Sequence, residues 1–155
     1  MKINIPVSVG ELVDKLTILE IKKMMIKDVD KLKEIENEQS QLNQKLNDIV
    51  QDSVEFDIPL FFALKADLFE INLSLWSIED NIRYCEKIKD FSAEFIRLAR
   101  DVYHANDKRF SIKNYFPCAV RRFTLVMVYY WRNSKCRHHR RFNLFFVTIT
   151  TLFYI

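Results

Sequence analysis

Two stripes of charged and aromatic residues hold the chemistry this sequence could perform. Trp76, Glu79, Arg83 and Glu86 recur at a 3-4-3 interval, and Arg97, Arg100, His104 and Asp107 repeat it. That interval places each set on one side of a helix. Arginines among carboxylates can hold an anion, because the planar guanidinium fork matches carboxylate or phosphate in a bidentate way. In a hairpin turning near residues 88–91, Asp80 comes level with Arg100. The candidate ligand-binding set is therefore Trp76, Glu79, Asp80, Arg83, Arg97, Arg100, Tyr103 and Asp107, with Trp76 as an apolar wall. Inter-helix ion pairs with a rim tryptophan account for the same residues, each exposed pair being worth about 0–1 kcal/mol. Helix faces are commonly laced with such charges.

No catalytic or metal-binding residues and no cofactor follow from the remaining motifs. Asp101-x-x-His104 has the spacing of an acid–histidine pair in di-metal bundles. It has no second such pair to join, and a solvated histidine explains it. Cys118, Cys136, His138 and His139 offer zinc-ligand types, but without paired Cys spacing and with the two histidines adjacent. Cys85 falls among apolar residues and reads as core packing. The three cysteines are odd in number and far apart, so no disulfide framework is implied. A single glycine excludes a Gly-rich phosphate loop.

The elements that must position the stripes are helical. From Ser8 to about Tyr115 apolar residues recur every three or four positions. Ser8-Val9-Gly10-Glu11 reads as a capping box. The helix after it buries Leu12, Leu16 and Leu19, with Ile26, and ends near Lys27. Asp28 caps a second helix, whose thin stripe of Leu32, Ile35, Leu42, Leu46 and Ile49 leaves most of its surface exposed. Asp57 caps a third, with Pro59 in its first turn. Its seam of Leu64, Leu68, Ile71, Leu75, Ile78, Ile82 and Cys85 keeps a 4-3 alternation suited to coiled-coil-like packing. The fourth starts at Asp90 or Ser92 and presents Phe91, Phe95, Leu98, Val102, Ala105 and Ile112. The short connection makes the third and fourth antiparallel. The expected fold class is all-α: an antiparallel bundle of two helical hairpins, about four helices, with an irregular C-terminal tail.

The chain has 155 residues, 49% of them hydrophobic and 29% charged, which suits one core and excludes a disordered chain. Its net charge of +3 conceals an asymmetry. Residues 1–115 carry 17 basic and 21 acidic residues, whereas 116–155 carry 7 basic and none acidic. The expected division is a helical domain at 1–115 and a basic, aromatic tail at 116–155. The tail has no helical period, and its composition fits translation of a shifted reading frame. Its basic run, 135–141, could neutralise phosphates, so nucleic acid is expected as a partner only if the tail is native. Its apolar flanks, 123–131 and 144–155, fall short of the ~20 residues of a transmembrane helix.

Three blocks, in order over about residues 5–113, resemble the bacterial family DUF6165, whose function is unknown. They are Ile5-Pro6-Val7-Ser8-Val9-Gly10-Glu11-Leu12-Val13-Asp14-Lys15-Leu16 and its continuation to Lys22, the run from Leu75 to Glu86, and the segments from Asp90 to Tyr103 and Asn106-Asp107. The resemblance implies no activity; its members are loosely associated with surface-polysaccharide and glycosyltransferase neighbourhoods. They continue the last helix into a polar, acidic end, which residues 116–155 do not.

The first eight residues lack the apolar run of a secretory signal, so a cytoplasmic location is expected. The expected function is a non-enzymatic helical accessory module that engages a protein partner through its hairpin faces. The alternative is an enzyme or binding domain for an anionic or sugar-containing small molecule, using the arginine and carboxylate stripes. Concavity distinguishes the two. Stripes converging in a pocket favour a ligand, and flat stripes favour a protein.

Overall fold

The computed structural model describes residues 5–121, which form an all-α bundle of four long helices. They are α1 (Val9–Met25), α2 (Val29–Gln51), α3 (Ile58–Ile88) and α4 (Ala93–Lys113). Short additions are β1 (Glu55–Phe56), the single turn α5 (Phe116–Ala119) and β2 (Val120–Arg121).

Local chemistry sets the helix ends. The Ser8 hydroxyl accepts from the Glu11 N–H at 3.2 Å, so half of the expected capping box forms. The Glu11 carboxylate does not return to Ser8; it accepts from Lys113 Nζ at 2.9 Å, binding the start of α1 to the end of α4. Asp28 caps α2 through the N–H groups of Asp30 and Lys31, and Asp57 caps α3 through that of Leu60. α3 stops where Lys89 turns left-handed at φ 59° and the Asp90 N–H reaches back to the Cys85 carbonyl. Of the two starts expected for α4, Ser92 takes the cap position, with its own N–H donating to Asp90 Oδ1 at 3.0 Å.

α1 is the central helix, packing against α2, α3 and α4. Leu12, Val13, Leu16, Leu19 and Ile21 are all buried, on more than one side of it. The α3 seam lies inward as expected: Leu64, Leu68, Leu75 and Cys85 are buried, and Ile71, Ile78 and Ile82 half-buried. α4 adds Leu98 and Ala105. Phe91 departs from its expected place in that stripe. It precedes the cap, is exposed, and meets Phe95 edge-on at 5.3 Å. On α2 only Ile35 is buried, which matches the thin stripe.

The division at Tyr115 falls inside the packed body, which continues to Arg121. Phe116 is wholly buried and meets Phe61 edge-on at 5.5 Å, and Ala119 and Val120 join the same cluster with Val13, Leu64 and Leu68. β1 and β2 pair antiparallel, Phe56 opposite Val120, and the Asp57 N–H donates to the Ala119 carbonyl at 2.9 Å. Hydrophobic pairing at distant positions outweighs the missing helical period here. The readings made for Cys136, His138, His139, the basic run 135–141 and the flanks 123–131 and 144–155 lie outside the described residues.

Candidate functional site

The charged stripes do not converge. Arg83 donates from Nη2 to Asp80 at 2.7 Å and lies 3.5 Å from Glu79, all three on α3. Arg97 donates from Nε to Glu94 at 2.9 Å and from Nη1 to Asp101 at 2.7 Å, all on α4. The expected cross-hairpin pair of Asp80 with Arg100 is not formed, because Arg83 reaches Asp80 from three residues away on the same helix. Glu79, Asp80, Arg83, Arg97, Arg100, Tyr103 and Asp107 are exposed and Trp76 is half-buried. Hydrogen bonding to Asp80 holds Arg83 above its ordinary pKa, and hydrogen bonding to Arg97 holds Glu94 below its own. An open depression of about 560 Å³ lies elsewhere, between Lys23 of α1 and Glu36, Gln39, Asn43, Gln44 and Asn47 of α2. None of the eight candidates lines it.

The polar groups that do converge are buried, and they centre on Asp14. This aspartate sits on the inward face of α1 with its side chain 5% exposed. Arg109 of α4 donates to both carboxylate oxygens, Nε to Oδ1 at 2.8 Å and Nη2 to Oδ2 at 2.6 Å. Asn72 of α3 donates to Asp14 Oδ1 and to Thr17 Oγ1, each at 2.9 Å. Thr17 donates to the Asp14 carbonyl at 2.8 Å, and Lys113 Nζ stands 3.7 Å from Asp14 Oδ2. Three helices therefore meet at one carboxylate with its acceptors filled. Burial alone would raise the Asp14 pKa; the bonds from Arg109 and Asn72 and the charges of Arg109 and Lys113 outweigh it and hold the carboxyl below its ordinary value. Arg109 is held above its own, mainly by the bond to Asp14.

α1 can bring Asp14 this close to α4 because of Gly10. A Cβ at that position would lie 2.3 Å from the Lys113 carbonyl oxygen. The one glycine in the chain thus serves helix-to-helix approach and not a turn.

A chemically competent Asp14 would need an open coordination position or an access route. Instead its oxygens are engaged and its surroundings close-packed, so the cluster is a clamp. Sequence reasoning passed over Asp14, Thr17, Asn72 and Arg109. The available signal was that α1 is apolar around most of its circumference, so any polar residue within it has to be paired. Among the described residues no group of three His, Cys, Asp or Glu side chains could hold a metal, and Asp101 is engaged by Arg97. Cys85 is a buried free thiol, whereas Cys118 is disulfide-bonded, a bond that the number and spacing of the cysteines did not imply. No helix among the described residues is long and apolar enough to cross a membrane.

No family model, curated protein or solved structure matches this chain.

Proposed function

We propose that the chain is a non-catalytic helical interaction module, acting in the cytoplasm, that engages a protein partner through the α3–α4 hairpin. One observation carries this reading. Arg83 and Arg97 are each neutralised by carboxylates of their own helix, while the hairpin's closed end exposes large apolar side chains, Tyr84 at 61%, Ile88 at 52% and Phe91 at 53%. Aromatic and aliphatic residues in that setting are the usual anchors of protein interfaces. An anion site would instead need arginines with free donors facing a shared cavity. The resemblance to DUF6165 carries no activity and adds none to this reading.

The test compares the full chain with a Tyr84→Glu, Ile88→Glu variant of unchanged helicity. A protein retained stoichiometrically by the wild type and lost by the variant supports the module. A melting shift with nucleotide sugars, inorganic phosphate or sulfate, abolished by Arg83→Lys or Arg97→Lys, would replace it with the small-molecule reading.

A further inference from the structure

We propose that the outward face of α4 pairs with the same face of a second copy of this chain, the two helices running antiparallel. This goes beyond the module reading, since self-pairing needs no other protein and uses a different surface from the hairpin's closed end.

Ile96, Ala99, Tyr103, Asn106 and Phe110 follow a 3-4-3-4 interval along α4. That is a heptad seam, the pattern of a helix packing on a helix. The bundle occupies another side of α4, toward which Leu98, Ala105 and Arg109 point. The three large seam residues stay 58%, 48% and 64% exposed. Scattered exposed apolar residues need no explanation. Three aligned at seven-residue intervals do, because that spacing builds one continuous contact line.

Charge identifies the occupant. Arg100 and Asp107 border the seam, both exposed. Arg83, Arg97, Asp80, Glu94 and Asp101 are all paired three or four residues away on their own helices. Arg100 and Asp107 make no ion pair among the described residues, and their positions, seven apart, are roughly 10 Å distant along the axis, too far to join each other. A two-fold axis crossing α4 near Tyr103 lays a second α4 antiparallel to the first. It then sets Arg100 against the partner's Asp107 and Asp107 against the partner's Arg100. Ile96 falls near the partner's Phe110, and Tyr103 near its own copy. Parallel pairing leaves each charge level with its own kind. Complementarity of this self-inverse sort is what an isologous interface requires. Two heptads make a small interface, so the dimer belongs to the weak, concentration-dependent class.

Sedimentation velocity of the full chain over a wide concentration range is the test, with helicity checked by circular dichroism. The wild type should show a monomer–dimer equilibrium. Ile96→Glu with Phe110→Glu should abolish the dimer without loss of helix. Arg100→Asp and Asp107→Arg should each weaken self-association about tenfold, since two pairs are replaced by two repulsions. Mixing these two variants, or combining them in one chain, should restore it. A monomer at every concentration, a dimer indifferent to Ile96 and Phe110, or a charge swap that fails to restore pairing would each overturn the proposal. Partner capture through Tyr84 and Ile88 is read separately and is unaffected by any of these outcomes.

Discussion

Arg109 closes a two-point bond on Asp14 across 95 residues of sequence, joining the first helix to the fourth at the centre of the bundle. A partly buried pair of this kind is poor evidence of net stabilisation, because desolvation offsets much of the attraction. Its loss on one side is another matter. Asp14 is almost fully buried and Arg109 three-quarters so. Arg109→Met should therefore cost about 3 kcal/mol in urea unfolding, by stranding the carboxylate. Asp14→Leu with Arg109→Met should cost less than the two single changes added together. Strict additivity would show that the two groups do not act as a pair.

Acid should dissolve the same clamp. Because the folded Asp14 carboxyl titrates below its unfolded counterpart, its contribution is complete above about pH 4 and lost as pH falls through the folded value. Arg109, Lys113, Asn72 and Thr17 face it, and Lys113 also holds the Glu11 carboxylate at 2.9 Å. Wild type should lose stability below about pH 4 more steeply than Asp14→Asn, which starts lower at neutral pH, and the two curves should converge in acid. Parallel curves would place the acid sensitivity elsewhere.

Gly10→Ala should destabilise, against the usual direction. In an ordinary helix interior alanine is favoured over glycine by about 1 kcal/mol. Here the added methyl would meet the backbone of Lys113, which cannot swing aside as a side-chain end could. Separation of α1 from α4 should cost about 3 kcal/mol and loosen the Asp14 clamp with it. A gain in melting temperature would mean that the two helices do not touch there.

Phe116→Ala should cost about 3–5 kcal/mol, as for a large side chain removed from a close-packed site. A chain ending at Tyr115 should lose still more, since Ala119, Val120 and the β1–β2 pairing go too. Full stability of that truncated chain would restore the division at Tyr115.

How far these features could be read in advance follows from the range of the forces. Ser8, Asp28 and Asp57 were legible because a cap is a bond between residues two or three apart. The α3 seam was legible because one helix repeats its own period. Asp14, Asn72 and Arg109 were not, because their meaning depends on which helices become neighbours. A lone polar residue in a stripe is silent until its partners are placed. The stripes of Arg83 and Arg97 misled for the opposite reason: charges three or four apart satisfy one another locally, before any second helix can. Residues 116–121 were misjudged because a four-residue turn and a two-residue strand carry no detectable period.

The clamp also orders events during synthesis. Glu11 and Asp14 are made 102 and 95 residues before Lys113 and Arg109, their partners in α4. At about 5–20 residues per second, that is a delay of roughly 5–20 s on the ribosome. Until Asn72 emerges Asp14 has only water for a partner, and until Arg109 emerges it has no bonded cation, so burying α1 against α2 alone would strand a carboxylate in an apolar contact. The charge thus holds the central helix open until α4 has emerged. The burial of α1, the earliest of the described helices, is completed only after α4 has been made.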